Sequence, residues 1–199
     1  MRHVAGLLLA ALLLSGCTDA PGSGPSAHVD VAAKDVRELK ATTDIAPCQP
    51  GEGQQVGGGM PDLILPCLGG GEGVDVSSLR GPLVINLWAS WCGPCRNEMP
   101  IIQSFHAKYG DQVPVVGIDW QDVQPLAAMK LAQKSGVTYP LLADPQDALS
   151  GAGAMPVIQG LPMIVLVDQN GRIAYKAFVE IKSVGQLEDL VRTRLGVDL

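Results

Sequence analysis

The chain has 199 residues, of which 47% are hydrophobic, and its formal net charge is −6 at pH 7. This length suits one domain with a single core. The acidic balance and the lack of a clustered run of Lys and Arg in the sequence argue against a nucleic-acid-binding protein.

The N-terminus has the pattern of an export signal. A short basic stretch precedes an uncharged apolar run, 4–14, which is too short to cross a bilayer as a helix of about 20 residues. The sequence Leu-Ser-Gly then leads into Cys17 and resembles a bacterial lipobox, whose cysteine receives the lipid. We predict a lipoprotein signal peptide over 1–16, lipidation of Cys17 and an extracytoplasmic protein anchored to the cell membrane. The alternative is an ordinary signal peptide followed by a chance cysteine.

The segment that follows is rich in Pro, Gly and Ser and predicts a flexible tether. We assign 17–47 to this tether, with a short helix over 35–40 because Val36 and Leu39 lie on one side of it. We assign 48–199 to one folded domain.

Apolar and amphipathic segments alternate through this domain. The patterns predict a small hairpin of 63–65 with 74–76, a buried strand 83–89, a helix to about 109, a strand 113–119, a helix 125–135, a strand 163–167, a returning strand 172–179 and a helix 184–195. The turn before the returning strand is Asp168-Gln169-Asn170-Gly171, a strong hairpin signal. This order predicts an α/β fold, with a mixed sheet and helices on both faces.

The sequence Trp91-Cys92-Gly93-Pro94-Cys95 stands between the strand 83–89 and an amphipathic segment. Two cysteines at this spacing either hold a metal ion or cycle between dithiol and disulfide. A strand followed by Cys-x-x-Cys and a helix favours a thioredoxin-like redox site. The sequence has no second Cys-x-x-Cys or paired-histidine motif to complete a tetrahedral zinc site, so we predict neither a metal nor a cofactor.

The five cysteines fall into three groups. Besides Cys17 and the pair in the motif, Cys48 and Cys67 remain, and an even remainder in an exported domain suggests a bridge. They flank the Gly-rich segment 51–59. Closing a loop of about 20 residues contributes about 3 kcal/mol in the chain-entropy model. We predict a structural disulfide; the alternative is a second redox pair that resolves or relays.

The motif with Arg96, Glu98 and Pro100 after it, and Gly160-Leu161-Pro162 before the hairpin, resembles the TlpA and ResA type of extracytoplasmic thioredoxin-like thiol–disulfide oxidoreductase. The resemblance covers about residue 61 to the C-terminus. It implies a thioredoxin fold, a mixed central sheet flanked by helices, here with a small N-terminal β extension. It also implies exported protein thiols and disulfides as substrates and a membrane thiol-electron transporter as redox partner. The stretch from 48 to 67 is not part of the minimal thioredoxin pattern.

Within the motif, Cys92 is the predicted nucleophile because free N–H groups and the dipole at a helix start favour a thiolate. Cys95 would resolve the mixed disulfide. Pro94 suits the first helical turn, where its missing N–H is not needed. We predict that Trp91, Gly93 and Pro94 form the rim that meets the substrate. The alternative reading of the cysteine pair is an inert disulfide.

The resemblance also points to residues outside the cysteine pair. Thioredoxin carries a buried aspartate where this chain has Asn86, so Glu98, three residues beyond Cys95, is the local carboxylate that could move protons. The alternative is an ordinary acidic residue in the first helical turn, favoured by the dipole.

A second element implied by the resemblance is a cis-proline at Pro162, with the backbone of Leu161 meeting the substrate. Met163 departs from the Thr that is common after this proline. The alternative is a trans proline at the start of a strand. We predict that Trp88 and Trp120 pack in the core.

The leading functional hypothesis is a lipid-tethered reductase of exported protein disulfides, including those of apocytochrome c. An exported oxidant that introduces disulfides is the alternative. A copper-binding or copper-delivery lipoprotein and a non-catalytic interaction module are two further classes, and loss of activity with Cys92→Ser would separate the enzyme from the last.

Overall fold

The computed structural model describes residues 28–199. The predicted signal peptide, Cys17 and the start of the predicted tether lie outside the described residues. Within 28–199, none of the helices combines the length and the apolar character that a membrane crossing requires.

Seven strands and four α-helices form within this range. They are α1 (Lys34–Lys40), β1 (Ile64–Leu65), β2 (Val74–Asp75), β3 (Leu83–Trp88), α2 (Gly93–Tyr109), β4 (Val115–Trp120), α3 (Pro125–Lys134), β5 (Leu141–Asp144), β6 (Met163–Val167), β7 (Ile173–Phe178) and α4 (Val184–Leu195). Each predicted strand and helix is present, with bounds that differ by a few residues. β5 is the one strand that the sequence patterns do not predict.

The main sheet has the strand order β5-β4-β3-β6-β7. β3 is parallel to β4, and β4 is parallel to β5, whereas β6 is antiparallel to β3 and β7 is antiparallel to β6. This is the mixed sheet of a thioredoxin-like fold, and β1 with β2 forms the predicted small N-terminal extension. All six residues of β3 are buried, as expected for a central strand covered on both faces. The Cys-x-x-Cys motif follows the carboxyl end of this central strand.

The two faces of the sheet are covered differently. Val84 and Trp88 of β3 pack in one apolar cluster, which also holds the buried apolar side chains of all four helices. Ile85 and Leu87 point into a second cluster, closed by the β1–β2 hairpin and by side chains from the loop after β5. The described helices therefore flank one face, which differs from the expectation of helices on both. The crossovers through α2 and α3 step in the same direction across the sheet, and right-handed crossovers then place both helices on the same side.

The predicted short helix is present as α1, and it packs against the domain. Val31, Val36 and Ile45 are buried in the cluster on the helical face of the sheet. The Ala46 N–H donates to the Thr138 carbonyl at 2.8 Å. Packed structure therefore extends into the segment that the sequence predicts as tether, because these three apolar side chains gain burial by docking on the core.

β5 lies between Pro140 and Pro145, two loop signals that hide it in the sequence. The segment 66–68 pairs with its outer side: the Leu68 N–H donates to the Leu141 carbonyl and the Ala143 N–H donates to the Pro66 carbonyl, both at 2.9 Å. A disulfide joins this segment to Cys48, with an S–S distance of 1.94 Å and a Cα–Cα distance of 5.9 Å between Cys48 and Cys67. The predicted pairing of the two cysteines is thus present.

Candidate active site

The turn from β3 into α2 presents the two motif cysteines. Cys92 is the N-cap of α2, in an extended conformation, and its Sγ accepts a hydrogen bond from the Cys95 N–H at 3.2 Å. Pro94 lies in the first helical turn, as predicted. The free N–H groups and the positive end of the helix dipole face Cys92 Sγ and would stabilise a thiolate there.

The two motif sulfurs form a disulfide, with an S–S distance of 1.96 Å and a Cα–Cα distance of 5.3 Å. Cys92 is 4% exposed and Cys95 is fully buried. An incoming sulfur atom therefore reaches Cys92 before Cys95.

The three tryptophans are placed as predicted. Trp91 is 48% exposed, whereas Trp88 and Trp120 are buried. The Trp91 indole N–H donates to the Gln121 carbonyl at 3.1 Å, and the ring centroids of Trp91 and Trp120 are 6.5 Å apart. Trp91 is thus an apolar surface held next to Cys92 by the loop that follows β4.

The peptide bond between Leu161 and Pro162 is cis, as the resemblance implies. Pro162 directly precedes β6, and the first residue of β6, Met163, pairs with Leu87 near the end of β3. The proline therefore stands at the same end of the sheet as the motif. The role of Leu161 and Pro162 in substrate binding stays a prediction.

The Glu98 carboxyl is fully buried on the core-facing side of α2. One of its oxygens accepts a hydrogen bond from Asn86 Nδ2 at 2.5 Å, and the other accepts one from the Ile181 N–H at 2.6 Å. Burial raises the pKa of Glu98 to about 7. The two hydrogen bonds lower this pKa, but burial outweighs them, and the nearby charge of Glu180 adds to the increase. The carboxyl can therefore take up or release a proton near neutral pH.

Two aspartates that the sequence analysis does not single out lie near the turn before Trp91, and one of them, Asp122, supports that turn. Both Asp119 and Asp122 are buried. The Asp122 carboxylate accepts hydrogen bonds from the Ser90 N–H at 2.7 Å and the Gln124 N–H at 2.9 Å. Burial, with the charge of Asp122 second, raises the pKa of Asp119 well above its usual value. Their position at the end of the strand beside β3 is the signal that could have identified them.

The second disulfide does not join this site. Cys67 lies on the outer side of β5, which β4 separates from β3. Among residues 28–199, no group of three or more His, Cys, Asp or Glu side chains is arranged to hold a metal ion.

Comparison with known proteins gives consistent matches. Residues 55–191 match the family model described as Redoxin. Thiol-disulfide oxidoreductase ResA of Geobacillus thermodenitrificans (strain NG80-2) is 34% identical over 121 residues, which cover 59% of this chain and 66% of the relative. Thioredoxin-like protein YneN of Bacillus subtilis (strain 168) is 30% identical over 125 residues, which cover 61% of this chain and 68% of the relative. The chain thus spans just under two thirds of the length of the ResA relative.

Solved structures share the fold. A putative thiol:disulfide interchange protein DsbE from Chlorobium tepidum superposes with a TM-score of 0.57 at 28% identity, covering 72% of this chain and 99% of that one. A DsbF homologue from Corynebacterium diphtheriae gives a TM-score of 0.58 at 25% identity, and the match covers 68% of this chain and 85% of that one.

Proposed function

This chain belongs to the Redoxin family, and we propose that it is a thiol–disulfide oxidoreductase that reacts through Cys92 and Cys95. The observation that carries the proposal is the cysteine pair across the first turn of α2, with the more exposed Cys92 at the N-cap. This arrangement stabilises the thiolate that thiol–disulfide exchange requires.

The reaction starts from the reduced pair. The Cys92 thiolate attacks one sulfur of a substrate disulfide, a new bond forms between Cys92 Sγ and that sulfur, and the second substrate sulfur leaves as a thiolate. The Cys95 thiolate then attacks Cys92 Sγ and releases the first substrate sulfur. Two electrons pass to the substrate, and the protein is left with the Cys92–Cys95 disulfide seen in the structure.

Glu98 is the proposed proton-handling residue. It lies three residues after Cys95 on the buried side of the same helix. With a pKa of about 7, the carboxylate is available near neutral pH to receive the proton that the Cys95 thiol loses before it attacks.

The substrate surface in this proposal consists of the exposed Trp91 ring, Gly93, Pro94 and the segment before β6. Open space surrounds the position that a Cβ would take at Gly93. A peptide backbone could approach Cys92 over this position and meet the backbone groups of Leu161 beside the cis Pro162.

The location and the direction of electron flow belong to the same proposal. The lipobox ending at Cys17 supports an extracytoplasmic protein anchored to the cell membrane through a lipid. We infer that the protein reduces disulfides of exported proteins, including apocytochrome c, and receives electrons from a membrane thiol transporter. The similarity to relatives named thiol-disulfide oxidoreductase ResA supports the thiol–disulfide exchange in this inference.

Measuring the reduction potential of the Cys92–Cys95 couple tests the direction. A value near the thioredoxin figure of about −270 mV supports a reductase, whereas a value near about −120 mV supports the alternative, an oxidant that introduces disulfides. In cells, a Cys95→Ala variant should retain substrates as mixed disulfides on Cys92, and their identification by mass spectrometry would name the substrate.

A further inference from the structure

A lysine side chain contacts the second disulfide. Lys40 Nζ, at the end of α1, lies 3.2 Å from Cys67 Sγ and donates hydrogen bonds to the carbonyls of Leu68 at 2.8 Å and Gly70 at 3.0 Å. An ammonium group has three donors and no acceptor, so these three acceptors match the charged form of Lys40. They oppose the effect of burial, which lowers the pKa of this amine.

Three consecutive glycines fold around this contact. Gly69, Gly70 and Gly71 have φ values of 74°, 86° and 123°. A Cβ at Gly69 would lie 2.7 Å from Lys40 Cδ, and a Cβ at Gly71 would lie 3.5 Å from Cys67 Sγ. The loop therefore turns its carbonyls towards the amine and leaves no side chain of its own between solvent and the sulfur.

The two sulfurs of this disulfide have different neighbours. Cys67 Sγ faces the Lys40 ammonium, whereas Cys48 Sγ lies 3.3 Å from the Leu141 carbonyl. A carbonyl oxygen can accept a hydrogen bond from a thiol but repels a thiolate, while an ammonium stabilises a thiolate. These neighbours favour a thiolate at Cys67 and a thiol at Cys48 once the bond is reduced.

We propose that Cys48–Cys67 is a second thiol–disulfide exchange site, reduced by an external dithiol, in which Cys48 is attacked and Cys67 is the leaving group held by Lys40. Cys48 is 6% exposed, Cys67 is 2% exposed, and both sequence neighbours of Cys48 are exposed. The thiol with the lower pKa is the better leaving group, which fixes the direction of attack. The reaction does not require Cys92 or Cys95, and so it stands independently of the function proposed above.

The external reductant is a dithiol that has lost one proton. Its thiolate forms a bond with Cys48 Sγ, the Cys48–Cys67 bond breaks, and the electron pair goes to Cys67 beside Lys40. The second thiol of the reductant loses its proton and attacks the mixed disulfide. Cys48 leaves, takes one proton from solvent and becomes the thiol that faces the Leu141 carbonyl. One dithiol is oxidised and one protein disulfide is reduced.

The first test uses the full chain with Cys17→Ser, Cys92→Ser and Cys95→Ser, so that Cys48 and Cys67 are the only cysteines. The protein is equilibrated with dithiothreitol redox buffers, and the reduced fraction is measured by thiol alkylation. Lys40→Gln should lower the equilibrium constant for reduction about tenfold, which is about 30 mV for a two-electron couple. Lys34→Gln, also on α1 but with a side chain that is 82% exposed, is the matched control and should leave the constant unchanged. Equal constants for Lys40→Gln and its parent would overturn the proposal.

The second test separates a role in exchange from mere clamping of the loop. With Cys48→Ser added to the same chain, Cys67 is the only thiol, and its ionisation is followed by thiolate absorbance. We expect a pKa below the free-cysteine value of about 8.5, and a higher pKa after Lys40→Gln. A Cys67 pKa of 8.5 or more with Lys40 intact would refute the proposal, even if Lys40→Gln did not fold.

The third test identifies the attacked sulfur. Brief treatment of the two-cysteine chain with reduced glutathione, followed by acid quenching and peptide mass spectrometry, should place glutathione on Cys48 and leave Cys67 free. Glutathione mainly on Cys67 would contradict the assignment of the leaving group.

Discussion

The two disulfides of this protein place the same bond in different settings. Cys92 and Cys95 are separated by three positions and lie across the first turn of a helix, between a central strand and a buried carboxyl. Cys48 and Cys67 are separated by nineteen positions and join two irregular segments at the edge of the sheet. Backbone N–H groups face the sulfur of Cys92, whereas the amine of a lysine faces the sulfur of Cys67.

This difference changes how much each bond stabilises the fold. In the chain-entropy model, a closed loop of about 4 residues contributes about 2 kcal/mol and one of about 20 residues about 3 kcal/mol. Cys92 and Cys95 lie across the first turn of α2, shortly after β3, so the regular backbone hydrogen bonds of these two elements hold the segment in addition to the disulfide. The bond at the sheet edge instead closes a longer loop and joins the segment 66–68, which pairs with β5, to Cys48.

The largest expected effect concerns activity. Cys92→Ser should reduce insulin-disulfide reduction to the uncatalysed background, because it removes the attacking thiolate. The double variant Cys48→Ser/Cys67→Ser is the matched control and should keep most of the activity in the same turbidity assay. Unchanged activity in Cys92→Ser would show that the motif is not the reacting group.

The next effect concerns stability. Cys48→Ser/Cys67→Ser should lower the free energy of unfolding by about 3 kcal/mol, measured by urea denaturation without reductant. Cys92→Ser/Cys95→Ser should cost less, about 2 kcal/mol, because its loop is shorter. A larger loss for Cys92→Ser/Cys95→Ser than for Cys48→Ser/Cys67→Ser would contradict this ranking of the two disulfides.

The titration of Glu98 should change the free energy of unfolding with pH, by an amount similar to the loss of the Cys48–Cys67 bond. The folded protein with its disulfides intact holds a proton on Glu98 up to a pKa of about 7, whereas the unfolded chain releases it near 4.5. The stabilising contribution is therefore full below pH 4.5 and is lost as the pH rises through about 7. The loss is on the order of 3 kcal/mol at 1.36 kcal/mol per pH unit.

Glu98→Gln should remove this pH-dependent contribution to stability. The free energy of unfolding of the wild type should therefore fall relative to that of the variant as the pH rises from 4.5 to about 7. Glu38→Gln, an exposed carboxylate on α1, is the control and should keep the wild-type profile. Parallel profiles for Glu98→Gln and wild type would mean that Glu98 does not titrate in this range.

The smallest expected effect is at the rim of the motif. Trp91→Ala should raise KM for a protein disulfide about threefold with little change in kcat, because it removes an exposed contact worth less than about 1 kcal/mol. Ile64→Ala, at an exposed apolar side chain on β1 away from the motif, is the control and should leave KM unchanged. A larger loss in kcat than in KM would indicate that Trp91 acts on the reacting sulfurs.

The sequence predicts most of the fold because strands such as 163–167 are apolar runs bounded by turn signals. It also places Glu98 near Cys95, because three residues along a helix bring side chains to one side. It cannot predict the Ile181 N–H as the partner of Glu98, since 83 positions separate the two residues. The same holds for the hydrogen bond between Asp122 and Ser90, which are 32 positions apart.

Two features are not predicted by the sequence patterns, the strand β5 and the packing of α1 on the domain, and both have the same physical cause. β5 has four residues between two prolines, so its apolar character is too short to outweigh the loop signals. The packing of α1 depends on Val36, a single buried residue in a seven-residue helix. Both elements are specified by contacts with distant parts of the chain rather than by local periodicity.

The segment paired with β5 also affects how these molecules behave at high concentration. An open outer strand offers unpaired N–H and carbonyl groups on which strands from other molecules can assemble. Here 66–68 occupies that side of β5, and its first residue, the exposed Pro66, has no N–H to offer to a further strand. The Cys48–Cys67 bond ties this segment to Cys48, so we expect the oxidised protein to aggregate through this edge less than the reduced protein.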